Sequence, residues 1–167
     1  PMDGLTLTKT TIDNYMALTD VEYYALRFGS VNGWGHNMRT DLMVNAMTLS
    51  ALNDKRVNVT NGYAHRPILS INDLTRAVSC VVNGDDKRGV YNLASVNHNI
   101  LDIGTKVANH LGVPVFDNGN NFTYDFTVSS EKFMKAYNFQ FQDTVETIID
   151  SIVEKPINPL WQKREPK

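Results

Sequence analysis

Apolar side chains recur along the chain with two alternating periods, about 3.6 and 2, and the alternation predicts the order of the elements. Ile12, Tyr15 and Met16 stand at helical spacing within 10–18, and Tyr23 to Gly29 then reads as an extended run. Asp41 to Leu52, rich in Leu, Met, Val and Ala, predicts a well-buried helix. Val57-Asn58-Val59 predicts a short strand ending in a turn at Asn61-Gly62. Pro67 to Ile71 is extended, and Asn72 or Asp73 caps a helix that carries Leu74, Ala77, Val78 and Val81 on one face. Val90 to Leu93 is a further strand.

In the second half, Asn99 caps a helix with Ile100, Ile103, Val107 and Leu111 inward, and Gly112 supplies the left-handed residue that ends it. Val113 to Phe116 reads as a strand, Asp117 to Asn121 as a polar loop, and Ser129 opens a short helix reaching Tyr137. Asp143 and Glu146 have capping-box spacing ahead of Val145, Ile148, Ile149, Ile152 and Val153. Strands alternating with helices predict an α/β layered fold with a largely parallel sheet. Short loops and the absence of repeats predict one unit over 1–155 and a polar tail over 156–167.

Composition narrows the function. The 167 residues are 42% hydrophobic and 20% charged, the profile of a globular domain, and a net charge of −2 gives no basic field for nucleic acid or anionic lipid. No segment approaches the ~18–20 apolar residues of a membrane span. Cys80 is the only cysteine and reads as a small buried side chain on an apolar helix face, so a reducing, cytoplasmic setting is expected. His36, His65, His98 and His110 are scattered, and no metal-ligand pattern is expected.

Four blocks carry chemistry. They are Lys9 with Asp13; Leu26-Arg27-Phe28-Gly29-Ser30-Val31-Asn32-Gly33; His65-Arg66-Pro67-Ile68-Leu69-Ser70-Ile71-Asn72-Asp73; and Gly89-Val90-Tyr91-Asn92-Leu93-Ala94-Ser95. In type, order and spacing, and together with Tyr137-Asn138-Phe139, they resemble the later half of the extended short-chain dehydrogenase family of NAD(P)-dependent nucleotide-sugar epimerases and dehydratases, over about residues 5–150. The resemblance implies the later half of a doubly wound, Rossmann-type sheet with a small substrate-binding subdomain formed around Asn58–Ile71 and Val113–Phe139. It also implies that the chain is a piece of a longer one, since Pro1-Met2-Asp3-Gly4 opens inside a mid-family motif, and that this piece alone is inactive.

The same resemblance implies roles for particular residues. Lys9 matches the lysine that lowers the pKa of a tyrosine base and hydrogen-bonds the nicotinamide ribose; the tyrosine position is Leu5, which has no proton to exchange. Tyr15 lies six residues beyond Lys9, on another helix face. Ser30 stands at the family's asparagine near nicotinamide and sugar, and Asn32 at its tyrosine. Asp41 and Leu42 match a pair whose backbone faces the nucleotide; the bland alternative for Asp41 is a carboxylate offsetting the helix dipole. Arg66 matches the arginine on the substrate diphosphate, a task that suits a planar fork of donors, with a surface ion pair as the alternative. Where the family has a second, late arginine, this chain has Gly119-Asn120-Asn121-Phe122-Thr123. Trp34, between Gly33 and Gly35, is either a substrate lid or a packed plug.

The implied activity is hydride exchange at a sugar ring carbon, with NAD or NADP held mainly by an earlier half that carries the glycine-rich turn, a nucleotide-sugar substrate, and a homodimer. Leu5 keeps a second expectation open, a noncatalytic member of the same fold that binds nucleotide or a protein partner.

Overall fold

A computed structural model describes residues 4–20, 22–85 and 87–155, without the side chains of Leu5 and Thr6. The expected tail at 156–167 lies outside the described residues. In chain order the elements are α1 (Gly4–Ala17), β1 (Tyr24–Phe28), β2 (Ser30–Asn32), α2 (Met43–Asp54), β3 (Val57–Val59), β4 (His65–Ser70), α3 (Ile71–Asn83), β5 (Gly89–Leu93), β6 (Val96–Asn99), α4 (Ile100–Leu111), β7 (Val115–Asp117), α5 (Glu131–Tyr137) and α6 (Val145–Val153). The expected α/β alternation is present.

The strands form three small sheets. β1 pairs in parallel with β5, from Tyr24 opposite Gly89 to Phe28 opposite Leu93. β4 is central to the second sheet, parallel to β2 on one side and antiparallel to β6 on the other, and β3 pairs in parallel with β7. The pairing is mostly parallel, as expected. β6 has no counterpart in the expectation: Val96-Asn97-His98-Asn99 lacks apolar alternation, and its extended form comes from the β4 edge it joins, with Val96 opposite Ile68.

β4 separates two cores. Successive strand residues face opposite ways, so Ile68 enters a cluster with Val44, Val57, Ile103 and Ile149, while Leu69 enters another with Tyr91, Leu93, Phe133 and Phe139. Burial on both faces explains why Pro67-Ile68-Leu69 is an unbroken apolar run. The first core is filled by α2, α4 and α6 around β3, the second by α3 and α5 against β5. Aromatic rings build the second core edge to face, Phe133 lying 5.7 Å from Tyr91 and 5.2 Å from Phe139.

The helix termini correct two expectations. The cap of α3 is Ser70, whose hydroxyl accepts from the Asn72 N–H at 3.0 Å; Asp73 lies a turn further on and is wholly buried, drawn inward by partners distant in sequence. α6 is capped by Thr144 and Thr147, which exchange both capping-box bonds, one residue away from the expected Asp143 and Glu146. Asn99 does cap α4, and Gly112 does close it at φ 66°. Val78 and Val153, expected inward, are exposed, because the buried stripe of each helix is narrower than its apolar stripe. Cys80 is half-buried and packs against the second core.

Candidate functional site

The first two sequence blocks meet through an ion pair. Asp13 on α1 accepts from Nε and Nη2 of Arg27 on β1, at 2.9 and 2.6 Å. Lys9 lies one helical turn before Asp13, hence on the same face of α1, and is exposed. Arg27 was legible only as a motif letter; the contact that makes it useful spans 14 residues. Around this pair the surface is apolar and open: Ile12, Tyr15 and Leu18 of α1 and Tyr24 and Phe28 of β1 are exposed, and Met16 is half-buried.

The second block runs from Ser30 into α2. Ser30 is half-buried at the start of β2, opposite Ile68, and its carbonyl accepts from the Asn32 side chain. Asn32 is buried with both ends of its amide engaged, its Oδ1 receiving the backbone N–H of Val44 at 3.0 Å and of Asn45 at 3.4 Å. It therefore caps α2 from twelve residues away, a service that Leu42 at the cap position has no side chain to perform. The amide of Asn32 positions the helix start and does not face solvent. Leu42 is half-buried, and the exposed Asp41 is chelated by Arg39, whose hydrogen bond holds the carboxyl below its ordinary value. Asp41 precedes the helix and is thus tied to Arg39 in the loop.

Arg66 sits on β4, two residues before the position opposite Ser30. Nη1 donates to the carbonyls of His65 and Tyr124 and Nη2 to Thr123 Oγ1 at 2.7 Å, with the guanidinium 5.9 Å from the Phe126 ring centroid. Of the five N–H donors of a guanidinium, Nε–H and the second Nη2–H stay uncommitted among the described residues, and these form one edge of the fork. His65 pins the same segment, giving its N–H to Asp125 Oδ1 at 2.8 Å with Nδ1 at 3.0 Å. The backbone N–H and ring of His65 hold the Asp125 carboxyl below its ordinary value. The segment 122–126 thus packs on Arg66 where the resemblance expects a further arginine.

Two features escaped the sequence. Asp73 is a buried junction: it pairs with Arg76, accepts from Ser95 Oγ at 2.6 Å, and accepts from the backbone N–H groups of Gln142 and Asp143, each at 3.1 Å. Beside Leu42 lies a hollow of about 400 Å³, bounded by Trp34, His36, Arg39, Asn45 and Ile71. Trp34 closes one side, its backbone N–H on Ser151 Oγ at 3.2 Å and its ring edge-on to His36 at 5.2 Å, while its Nε1 is buried without an acceptor among the described residues. Among the described residues no group of His, Cys, Asp and Glu could hold a metal ion, and no helix is long and apolar enough to cross a membrane.

The arrangement defines a class of fold: a mostly parallel α/β unit with helices packed on both faces of the central strand β4. No family model and no curated protein matches the sequence. Solved structures match the fold. The ADP-L-glycero-D-manno-heptose-6-epimerase of Helicobacter pylori superposes with a TM-score of 0.77 at 21% identity over 92% of this chain and 51% of that one. The dTDP-glucose 4,6-dehydratase of Bacillus anthracis, in complex with NAD, gives 0.74 at 16% identity over 92% and 52%. The enzyme WbmG of Bordetella bronchiseptica, in complex with NAD and UDP, gives 0.72 at 16% identity over 92% and 50%. This chain spans about half the length of each.

Proposed function

We propose that the chain is the substrate-side half of an NAD(P)-dependent enzyme that epimerises or dehydrates a nucleotide-linked sugar. The observation that carries this reading is the convergence of the motif residues on one fold: Ser30 on β2, the α2 start held by Asn32, and Arg66 on β4 adjoin one another, in a fold shared with solved structures whose names include NAD, UDP, dTDP-glucose or an ADP-heptose. Arg66 offers the open edge of its fork to a diphosphate, and the backbone at Asp41 and Leu42 faces the nucleotide. Binding outside the ends of parallel strands is the rule for such sheets.

The residues present suit the nicotinamide end of a dinucleotide. Lys9 is exposed on a helix fixed to β1 by Asp13 and Arg27, where its ammonium can donate to a ribose hydroxyl, and Ser30 supplies a hydroxyl at the head of β2. Bound there, NAD or NADP would supply hydride exchange at a ring carbon. Holding the pyrophosphate falls to a preceding half with its own glycine-rich turn, and the open β1 face with the apolar side of α1 suits packing against such a half and against a second copy in a homodimer. We place this activity in the cytoplasm. Leu5 favours a second reading, a noncatalytic binder of the same ligands, because a hydrocarbon side chain takes up no proton.

Calorimetric titration of UDP-, dTDP- and ADP-sugars into the full-length protein tests the proposal. Arg66→Ala is expected to weaken binding by about 2–4 kcal/mol, because a diphosphate loses its paired donors, and Arg66→Lys to restore part of it. Equal affinities in wild type and Arg66→Ala would remove the diphosphate role. If Leu5→Tyr creates substrate-dependent reduction of bound NAD, the catalytic reading stands; unchanged inactivity with NAD retained favours the binder.

A further inference from the structure

Four asparagines in the chain precede a glycine: Asn32, Asn61, Asn83 and Asn118. Such pairs share one chemistry. The backbone nitrogen after the asparagine attacks the side-chain carbonyl carbon, and only glycine leaves that nitrogen unshielded by a Cβ. Whether the attack occurs depends on whether the fold lets the side-chain amide swing onto the nitrogen.

The structure restrains three of the four. Asn32 is buried, both ends of its amide are engaged, and the Gly33 nitrogen donates to Asn45 Oδ1 at 2.9 Å. Asn61 is fixed in the left-handed conformation at φ 59°, its Oδ1 holds the Asn121 N–H, and Gly62 is buried. Asn83 ends α3 with its amide turned back onto the Ser79 carbonyl at 3.0 Å. Asn118 differs. It is exposed just past β7, and among the described residues only its backbone is held, the N–H bonding Val59 O at 2.8 Å, so its amide rotates freely. Gly119 follows at φ 82°, with open space where a Cβ would stand and a single 2.9 Å bond from its N–H to the exposed Asp117 carboxylate.

We propose that Asn118-Gly119 is a self-modification site, at which the protein deamidates through a cyclic imide. The Gly119 nitrogen gives up its proton to solvent and bonds to Cγ of Asn118; the bond from Cγ to Nδ2 breaks, and the amine takes up a proton and leaves as ammonia. Water then opens the ring at either carbonyl, giving aspartate or β-linked isoaspartate at position 118. The product adds one negative charge, and the β-linked form adds a backbone methylene. The loop so altered is stitched to the β3–β4 turn, where Asn61 donates to Gly119 O at 3.0 Å, and it leads into Thr123 and Tyr124, which hold Arg66. Position 118 thus becomes a substrate for a carboxyl methyltransferase that recognises isoaspartate, and it records the age of the protein beside Arg66.

The purified protein, held at pH 8 and sampled over time, is digested and its four Asn-Gly peptides are resolved by mass spectrometry, with isoaspartate detected by methyl transfer from labelled S-adenosylmethionine. Loss of the amide at position 118 is expected to run on the order of tenfold or more ahead of the other three, the factor that one retained hydrogen bond supplies. In denaturant the four rates should converge, since the restraint is tertiary. Asn118→Gln should abolish the methyl label on the peptide that carries position 118 and leave only the slow labelling of the other three sites. Comparable rates at all four sites in the folded protein, a faster site elsewhere, or an amide at 118 that persists while the denatured sample reacts would overturn the assignment.

Discussion

Asp73→Ala is the most informative perturbation of the fold. The carboxylate has no solvent exposure and serves four donors: the Arg76 guanidinium, Ser95 Oγ at 2.6 Å, and the N–H groups of Gln142 and Asp143 at 3.1 Å. Ser95 Oγ in turn accepts the Ser70 N–H at 3.0 Å, so one side chain fastens the start of α3, the turn after β5 and the approach to α6. Truncation takes the acceptor from two part-buried N–H groups and a part-buried hydroxyl, each costing up to about 1–3 kcal/mol when left unpaired, while Arg76 turns toward water. Allowing for relaxation, the loss is expected at about 3–5 kcal/mol. Asp73→Asn, with the same shape and one oxygen fewer, should lose about 2–3 kcal/mol, because its N–H groups meet donors.

Denaturant unfolding followed by circular dichroism measures both. Burial pushes the Asp73 carboxyl up, but the bonds from Ser95, Gln142, Arg76 and Asp143 outweigh it and hold it below its ordinary value. A depressed carboxyl stabilises fully above its unfolded pKa, about 3.9, and the contribution fades as pH falls through the lower folded value. The Asn variant should therefore lose stability less steeply in acid than wild type. A loss under about 1 kcal/mol for Asp73→Ala would refute the junction, since it would mean that the freed donors find water.

Two further outcomes follow from packing and charge. Gly104→Ala would place a Cβ 2.5 Å from Val59 Cγ2 in the first core, so thermal unfolding should show about 1–3 kcal/mol of destabilisation from overpacking, exceeding the gain in helix propensity; an equally stable variant would show that Val59 yields freely. Glu146 has its pKa lowered to about 2, chiefly by the hydrogen bond from Lys106 at 2.6 Å. The stabilisation is present above pH ~4.3 and lost as pH falls toward 2, and because the pair is more than a third exposed, Glu146→Gln should cost under about 1 kcal/mol near neutrality; a larger cost would mean that solvent screens the pair less than its exposure implies.

Local periodicity determined the elements. Strands at Tyr24–Phe28, Val57–Val59 and Gly89–Leu93, and the cap and stop of α4, were legible because their signals lie within a few residues. The order and spacing of the motif blocks likewise indicated the fold class that the solved structures share. The tertiary structure decided which polar residues work and on what. Asn32 reads as a ligand contact in the sequence, yet it caps a helix twelve residues away; Asp73 reads as a cap, yet burial draws it to partners about 22 and 70 residues distant. Arg66 reads as a diphosphate contact or a surface ion pair, yet half of its fork holds Thr123 and Tyr124. The division has one physical cause. Periodicity and capping spend hydrogen bonds inside a single turn of chain, whereas a buried polar group must take whichever donor or acceptor the packed core brings within 3 Å, and that neighbour is fixed by the fold as a whole.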